Sequence, residues 1–275
     1  MTTTIDNRPH LDSLLMRESL LDKDLAPKTD APVFKMLPES IVIKIGGQSI
    51  FDKGIKAVGP VVEILNKTLD AGNKLIIGTG GGARTRHVFS IGIDLGMPTG
   101  VLAQLAMADA LGTAHMLGTL LAPKGVVAIP PEMFGHLLPL FLHSAPGVIY
   151  NGVPPYSIWE QPDKVGKIPP HRTDAGCLLL AECFGSKKYI LVKDVDGVYE
   201  EDPKKNPEAK FIGEIRSDKL KDMHLQSLPF DRVLLDIMEN TKLIKRFQVV
   251  NGTKPDMLAA AIEGDENVGT TVYAP

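Results

Sequence analysis

From residue 36 onward, short β-branched runs alternate with stretches whose apolar residues recur at helical spacing, and no other feature of the chain constrains its fold as much. The runs fall at 41–45, 74–77, 126–129, 147–150, 189–192, 247–250 and 268–272. Helical patterns near 55–71, 84–95, 101–121, 174–184, 231–241 and 256–262 lie between several of them. Several of the runs are almost continuously apolar, which marks strands covered on both faces. Helices between successive strands supply the crossovers that parallel pairing needs. The expected class is α/β, with a mainly parallel central sheet.

Four segments stand apart from that alternation. Residues 1–35 form an N-terminal extension in which Leu11, Leu14, Leu15, Leu20 and Leu21 make a partial helical stripe. Such a stripe cannot bury itself, and a subunit contact is the reading adopted for it. The 101–122 stretch is long and apolar enough for a membrane span, yet it carries Gln104, Asp109 and His115 and lacks basic or aromatic flanks. It is expected to be a buried helix, and no membrane partner is expected. Residues 151–171, with five prolines, form a long excursion of the kind that often carries function. The 200–229 stretch is polar and reads as an irregular lobe.

Thirty Lys and Arg against 33 Asp and Glu leave a formal net charge of −3, a poor match to a nucleic-acid partner. The two cysteines, Cys177 and Cys183, are six apart in one helical pattern and point to different sides, so no disulfide is expected. Together with the lack of a secretory pattern in the first residues, this gives a cytoplasmic expectation.

Ligands in open α/β sheets gather beyond the carboxyl ends of the strands. Three expected strands end in suitable residues: Lys44-Ile45-Gly46-Gly47, Gly78-Thr79-Gly80-Gly81-Gly82, and Lys193-Asp194-Val195-Asp196-Gly197-Val198-Tyr199. Glycines let backbone N–H groups approach anionic oxygens, and lysines neutralise phosphate charge. Arg172-Thr173-Asp174-Ala175-Gly176 opens the helix at 174–184. Asp174 there reads either as a cap or as the carboxylate that organises the lysines. Neither G-x-x-x-x-G-K-[ST] nor G-x-G-x-x-G is present, which disfavours a P-loop or a dinucleotide site.

The motifs KIGG at 44–47, GTGGG at 78–82, TDAG at 173–176 and KDVDGVYEEDP at 193–203 resemble, in order, those of the amino-acid kinase superfamily and its uridylate-kinase branch. The likeness runs from Met36 to the end. Stretches at 42–49, 81–105, 151–159 and 168–182 are more similar to the superfamily's molybdenum storage proteins. Uridylate kinases follow the glycine triplet with Asn, where Ala83 stands here. The resemblance implies a three-layer α/β/α sandwich over residues 36–275 and ATP with Mg²⁺ above the strand ends. Lys44, Asp174 and Lys193 would be catalytic. Gly46, Gly47, Gly80, Gly81, Gly82, Arg84, Asp194, Asp196, Gly197, Val198, Tyr199 and Asp202 would bind the nucleotide. It also implies homologous subunits in a homo- or hetero-hexamer, a trimer of dimers, around molybdate or tungstate oxide clusters.

Those clusters are polyanions, for which imidazoles are suitable contacts. His115, His136 and His143 are the candidate metal-oxide contacts. His115 reads equally as a core hydrogen-bonding residue, and the others as loop residues, since Pro139 stands between them. Ser157 occupies a position where the alpha-type storage chains carry histidine. Two further activities remain open: a uridylate-kinase-like phosphotransferase acting on a nucleoside monophosphate or small acid, and a non-catalytic nucleotide-binding scaffold.

Overall fold

The structure, a computed structural model, describes residues 32–275 apart from 136 and 163–166. Residues 1–31, which hold nearly all of the expected extension, and His136 lie outside the described residues.

The six residues of β1 (Ser40–Ile45) are all buried, and this strand takes a central place in an eight-stranded sheet. It pairs in parallel with β2 (Lys74–Thr79) on one side and β5 (Lys188–Lys193) on the other. Beyond β2 lie β4 (Gly147–Tyr150) and the short edge strand β3 (Val127–Ala128). Beyond β5 come β9 (Arg246–Asn251), β10 (Thr270–Tyr273) and β8 (Glu214–Arg216). Only the β9–β10 pairing in this sheet is antiparallel, so the mainly parallel expectation holds.

Side-chain alternation sorts the central strands between two helical layers. Ile41, Ile43 and Ile45 of β1, with Ile190 and Val192 of β5, pack with α1 (Ile55–Asp70), α3 (Thr99–Leu121) and α8 (Pro255–Glu263). Val42, Tyr189 and Leu191 face the opposite layer, with α4 (Leu137–Ser144), α5 (Thr173–Phe184), α6 (Ser217–Asp222) and α7 (Val233–Met238). Phe89 of α2 (Ala83–Asp94) packs on Leu102 and Ala106 of α3. This is the three-layer α/β/α sandwich.

Several expectations are corrected. The 200–229 stretch is less irregular than its polarity implies. It contains β7 (Phe211–Ile212), which pairs antiparallel with β6 (Val198–Tyr199), and it also supplies β8 and α6. Pro139 does not break α4, because it falls in the first turn, where the missing N–H has no helical partner to lose. The long apolar helix α3 is covered on one side only. Leu102, Ala106, Ala110, Leu117 and Leu121 are buried, while Gln104, Ala108, Gly112, His115 and Leu120 are exposed. His115 is therefore not a core residue. Cys177 is buried and Cys183 exposed on α5, and neither forms a disulfide.

Candidate functional site

Strand parity brings the first charged group into place. Lys44 follows Val42 by two on β1, and Lys193 follows Leu191 by two on β5, so both ammonium groups point into the α5 layer from neighbouring strands. The first turn of α5 carries Asp174 to meet them. Lys44 Nζ lies 2.6 Å from Asp174 Oδ1, and Lys193 Nζ donates to Oδ2 at 2.8 Å and to Oδ1 at 3.1 Å. Lys44, Asp174 and Lys193 are 4%, 3% and 8% exposed, so the charges interact through little water.

One carboxylate faces two cations, and the protonation equilibria reflect it. Burial alone would raise the Asp174 carboxyl, but the charges of Lys193 and Lys44 outweigh it and hold the group far below the usual carboxylate range. Burial lowers Lys44 too, but Asp174's charge and hydrogen bond raise it overall. Lys193 goes the other way. Burial, reinforced by the charge of Lys44 and opposed by Asp174, brings it down to about 8. The trio thus holds more positive charge than its carboxylate compensates, an arrangement suited to a multiply charged anion.

A fourth charged group adjoins it. Asp231, buried just before α7, accepts from Arg172 Nη2 at 2.5 Å and donates its backbone N–H to Asp174 Oδ2 at 3.2 Å. Its carboxyl is raised by burial and by Asp174's charge, against the neighbouring cations. Its second oxygen, Oδ2, is buried without a hydrogen-bond partner.

Above these charges the two glycine turns press together. A Cβ on Gly47 would lie 2.2 Å from Gly82 N and 2.6 Å from Gly80 O, so only glycine permits this backbone contact. Gly82 has φ +72°, in the left-handed region. Asp52, from the turn after Gly46-Gly47, accepts the Ala83 N–H at 2.7 Å and so caps α2 across the gap. The turns open onto a cleft of about 970 Å³. On the β2–β4 flank it is lined by Arg86, Val153 and His171, and on the β5 flank by Asp194, Tyr199 and Asp202. Lys53 and Lys204 both reach Asp194 Oδ2 at 2.7 Å from the cleft's rim.

The amino acid kinase family matches residues 39–247. The chain belongs to the amino acid kinase family. It is 44% identical to molybdenum storage protein subunit beta of Azotobacter vinelandii, over 96% of this chain and 97% of that one. It is 30% identical to the uridylate kinase of Staphylothermus marinus, over 86% of this chain and 100% of that one. The uridylate kinase structure from Archaeoglobus fulgidus shares the fold with a TM-score of 0.65 at 23% identity, covering 84% of this chain and 99% of that one.

Within this amino acid kinase fold the sequence-derived candidates separate. Lys44, Gly46, Gly47, Gly80, Gly81, Gly82, Asp174 and Lys193 gather around the inner cleft, with Asp194, Gly197, Tyr199 and Asp202 on one flank. Asp196 is instead engaged with Asn251 (2.8 Å) and Lys254 (2.7 Å), and Val198 is buried in β6 with its N–H on Thr270 Oγ1. Arg84 turns to α3, where its guanidinium donates to Thr113 Oγ1 at 2.8 Å, and Arg86 takes the place on the cleft wall. The helical rotation of two residues decides between them. His115 and His143 are exposed on α3 and α4 and do not line the cleft. Among the described residues no group of three or more His, Cys, Asp or Glu is arranged for a metal ion. Sequence reasoning missed Asp231 and His171 as members of the site, and Glu160 as the partner of His171. The only signal for His171 was its place three residues before Asp174.

Proposed function

We propose that this chain is a subunit of a molybdenum or tungsten storage assembly, and that it binds and hydrolyses ATP to load polynuclear metal-oxide clusters. The observation that carries the nucleotide half is the buried Lys44–Asp174–Lys193 trio, with its surplus positive charge beneath two apposed glycine turns. The cargo half is supported by the near full-length likeness to a molybdenum storage subunit. In this reading Lys44 and Lys193 donate to β- and γ-phosphate oxygens and stabilise the charge that develops as the γ-phosphoryl group leaves. Asp174 holds both ammonium groups in position. In the same reading the N–H groups of Gly47, Gly81 and Gly82 serve those oxygens, since Gly46 and Gly80 already donate to the Val192 and Ile45 carbonyls.

The carboxylates of the cleft fit a phosphate-bound Mg²⁺, which needs only one or two protein oxygens, and Asp231 with its unpartnered Oδ2 is the residue that would hold it. When bound, the ion neutralises charge on the phosphate oxygens. His115 and His143, on exposed faces of α3 and α4, would meet the clusters where homologous subunits enclose them in a hexamer. The uridylate kinase relatives favour a second reading, phosphoryl transfer to a nucleoside monophosphate.

One experiment separates these readings. The purified chain is incubated with molybdate or tungstate, with and without ATP and Mg²⁺, desalted, and its metal counted by elemental mass spectrometry beside released phosphate. Storage predicts many metal atoms per chain, retained only after ATP is supplied. ADP formed in step with a phosphorylated nucleotide, with no metal retained, overturns it in favour of the phosphotransferase. Nucleotide bound without turnover until a partner chain is added assigns this chain a scaffold role.

A further inference from the structure

The Pro-rich excursion buries a carboxylate that the phosphate-binding machinery does not use. Glu160, next to the helical turn Ser157–Trp159, has a side chain only 1% exposed. A buried carboxylate is costly unless it is paired. Glu160 Oε1 accepts the Gln161 N–H at 2.8 Å and lies 3.0 Å from His171 Nδ1. An ionised carboxylate only accepts, so Nδ1–H donates to it, which leaves Nε2 as the ring nitrogen not engaged by Glu160. Tyr156 packs edge-on against the same ring, with centroids 6.3 Å apart. The imidazole is thereby held on two sides, and its residue lines the cleft shared by Lys44 and the glycine turns.

Its place along the chain ties it to the charged floor of the cleft. His171 precedes Asp174 by three residues, which span at most about 10 Å of chain. Thr173, between them, brings Oγ1 within 3.5 Å of the position a Cβ on Gly80 would take. A phosphate acceptor is already ionised and needs no base, whereas an attacking water must lose a proton. An oriented imidazole on the wall of the cleft that the glycine turns open onto meets the second requirement.

We propose that His171 Nε2 takes the proton of the water that attacks the γ-phosphorus of ATP, with Glu160 as the positioning residue that fixes the ring. The bond from water oxygen to phosphorus forms as the bond from phosphorus to the bridging oxygen breaks. The bonding pair leaves with ADP, and the proton passes to Nε2 and on to solvent. ATP and water thus give ADP, inorganic phosphate and one proton. This rests on reading the cleft as an ATP-hydrolysing site.

The test uses the full chain with ATP and Mg²⁺, measuring phosphate release at steady state and ADP affinity by calorimetry. His171→Ala is expected to lower kcat by about 10²–10⁴-fold with ADP affinity kept within about threefold, and added imidazole restores part of the rate. His171→Gln, which can still hydrogen-bond Glu160 but cannot take the proton, stays equally slow. Glu160→Gln weakens the orientation and falls between these variants and wild type. A His171→Gln protein at the wild-type kcat overturns the proposal. So does a His171→Ala protein whose loss lies wholly in nucleotide affinity and is untouched by imidazole, since His171 is then only a strap for the loop. A wild-type chain that binds ADP yet releases no phosphate overturns this inference and leaves the nucleotide site standing. One that binds no nucleotide overturns the reading beneath it.

Discussion

Lys193 offers a quantitative test of the surplus charge. Its ammonium is brought down from 10.5 to about 8 because it is buried beside Lys44 with a single carboxylate between them. A nucleotide adds several negative charges to that spot and should return Lys193 towards its ordinary value. With half of the free protein's Lys193 uncharged at pH 8, binding then takes up about 0.5 proton at pH 8 and about 0.9 at pH 9. Affinity should weaken roughly tenfold from pH 7 to pH 9, equivalent to about 1.4 kcal/mol. Cys177, which burial pushes up to about 12, stays a thiol throughout and does not contribute. Calorimetry with ADP, which avoids turnover, in two buffers of different ionisation enthalpy reads the uptake directly. Lys193→Met should abolish it. The same depression sets the free protein's stability: between about pH 8 and 10.5 the unfolded chain binds more protons than the folded one, so stability rises with pH across that window. Binding without proton uptake at pH 8–9 would refute the reasoning, because Lys193 would then be fully charged before nucleotide arrives.

Replacing Asp174 with Asn leaves two buried lysines without their counter-charge, and urea unfolding should show a loss of about 3–5 kcal/mol that ADP partly reverses. Gly47→Ala drives a Cβ to 2.2 Å from Gly82 N and 2.6 Å from Gly80 O, both backbone atoms that cannot swing aside. It should cost about 1–3 kcal/mol in thermal or urea unfolding and abolish ADP binding in the calorimeter. Asp52→Ala removes the carboxylate that caps α2, for an expected loss of about 0.5–2 kcal/mol, while Asp52→Asn should retain most of the cap in the same melt.

The architecture was legible because period-two and period-3.6 patterns are local. The 147–150 strand matches β4, and the helices expected at 55–71, 84–95 and 174–184 match α1, α2 and α5 within a residue at each end. The lysines and glycines at the ends of β1, β2 and β5 were likewise readable, since strand ends and glycine turns are local features. The exposed face of α3 was not, because its apolar composition is the same whether or not a neighbour covers that side. Nor was the β6–β7 pairing, whose partners are separated by a polar stretch with no period of its own. The meeting of Lys44 and Lys193 at Asp174 depends on the register of β1 with β5, which sets Lys44 opposite Leu191, 147 residues further on. Asp231 and the Glu160–His171 pair join the site only when loops from different parts of the chain meet over the strand ends. Sequence by itself determined the layers and the lysines and glycines at the strand ends, through periodicity and turn chemistry. Tertiary structure alone decided which charges are buried together, because burial and distance, not residue type, set the strength of their interaction.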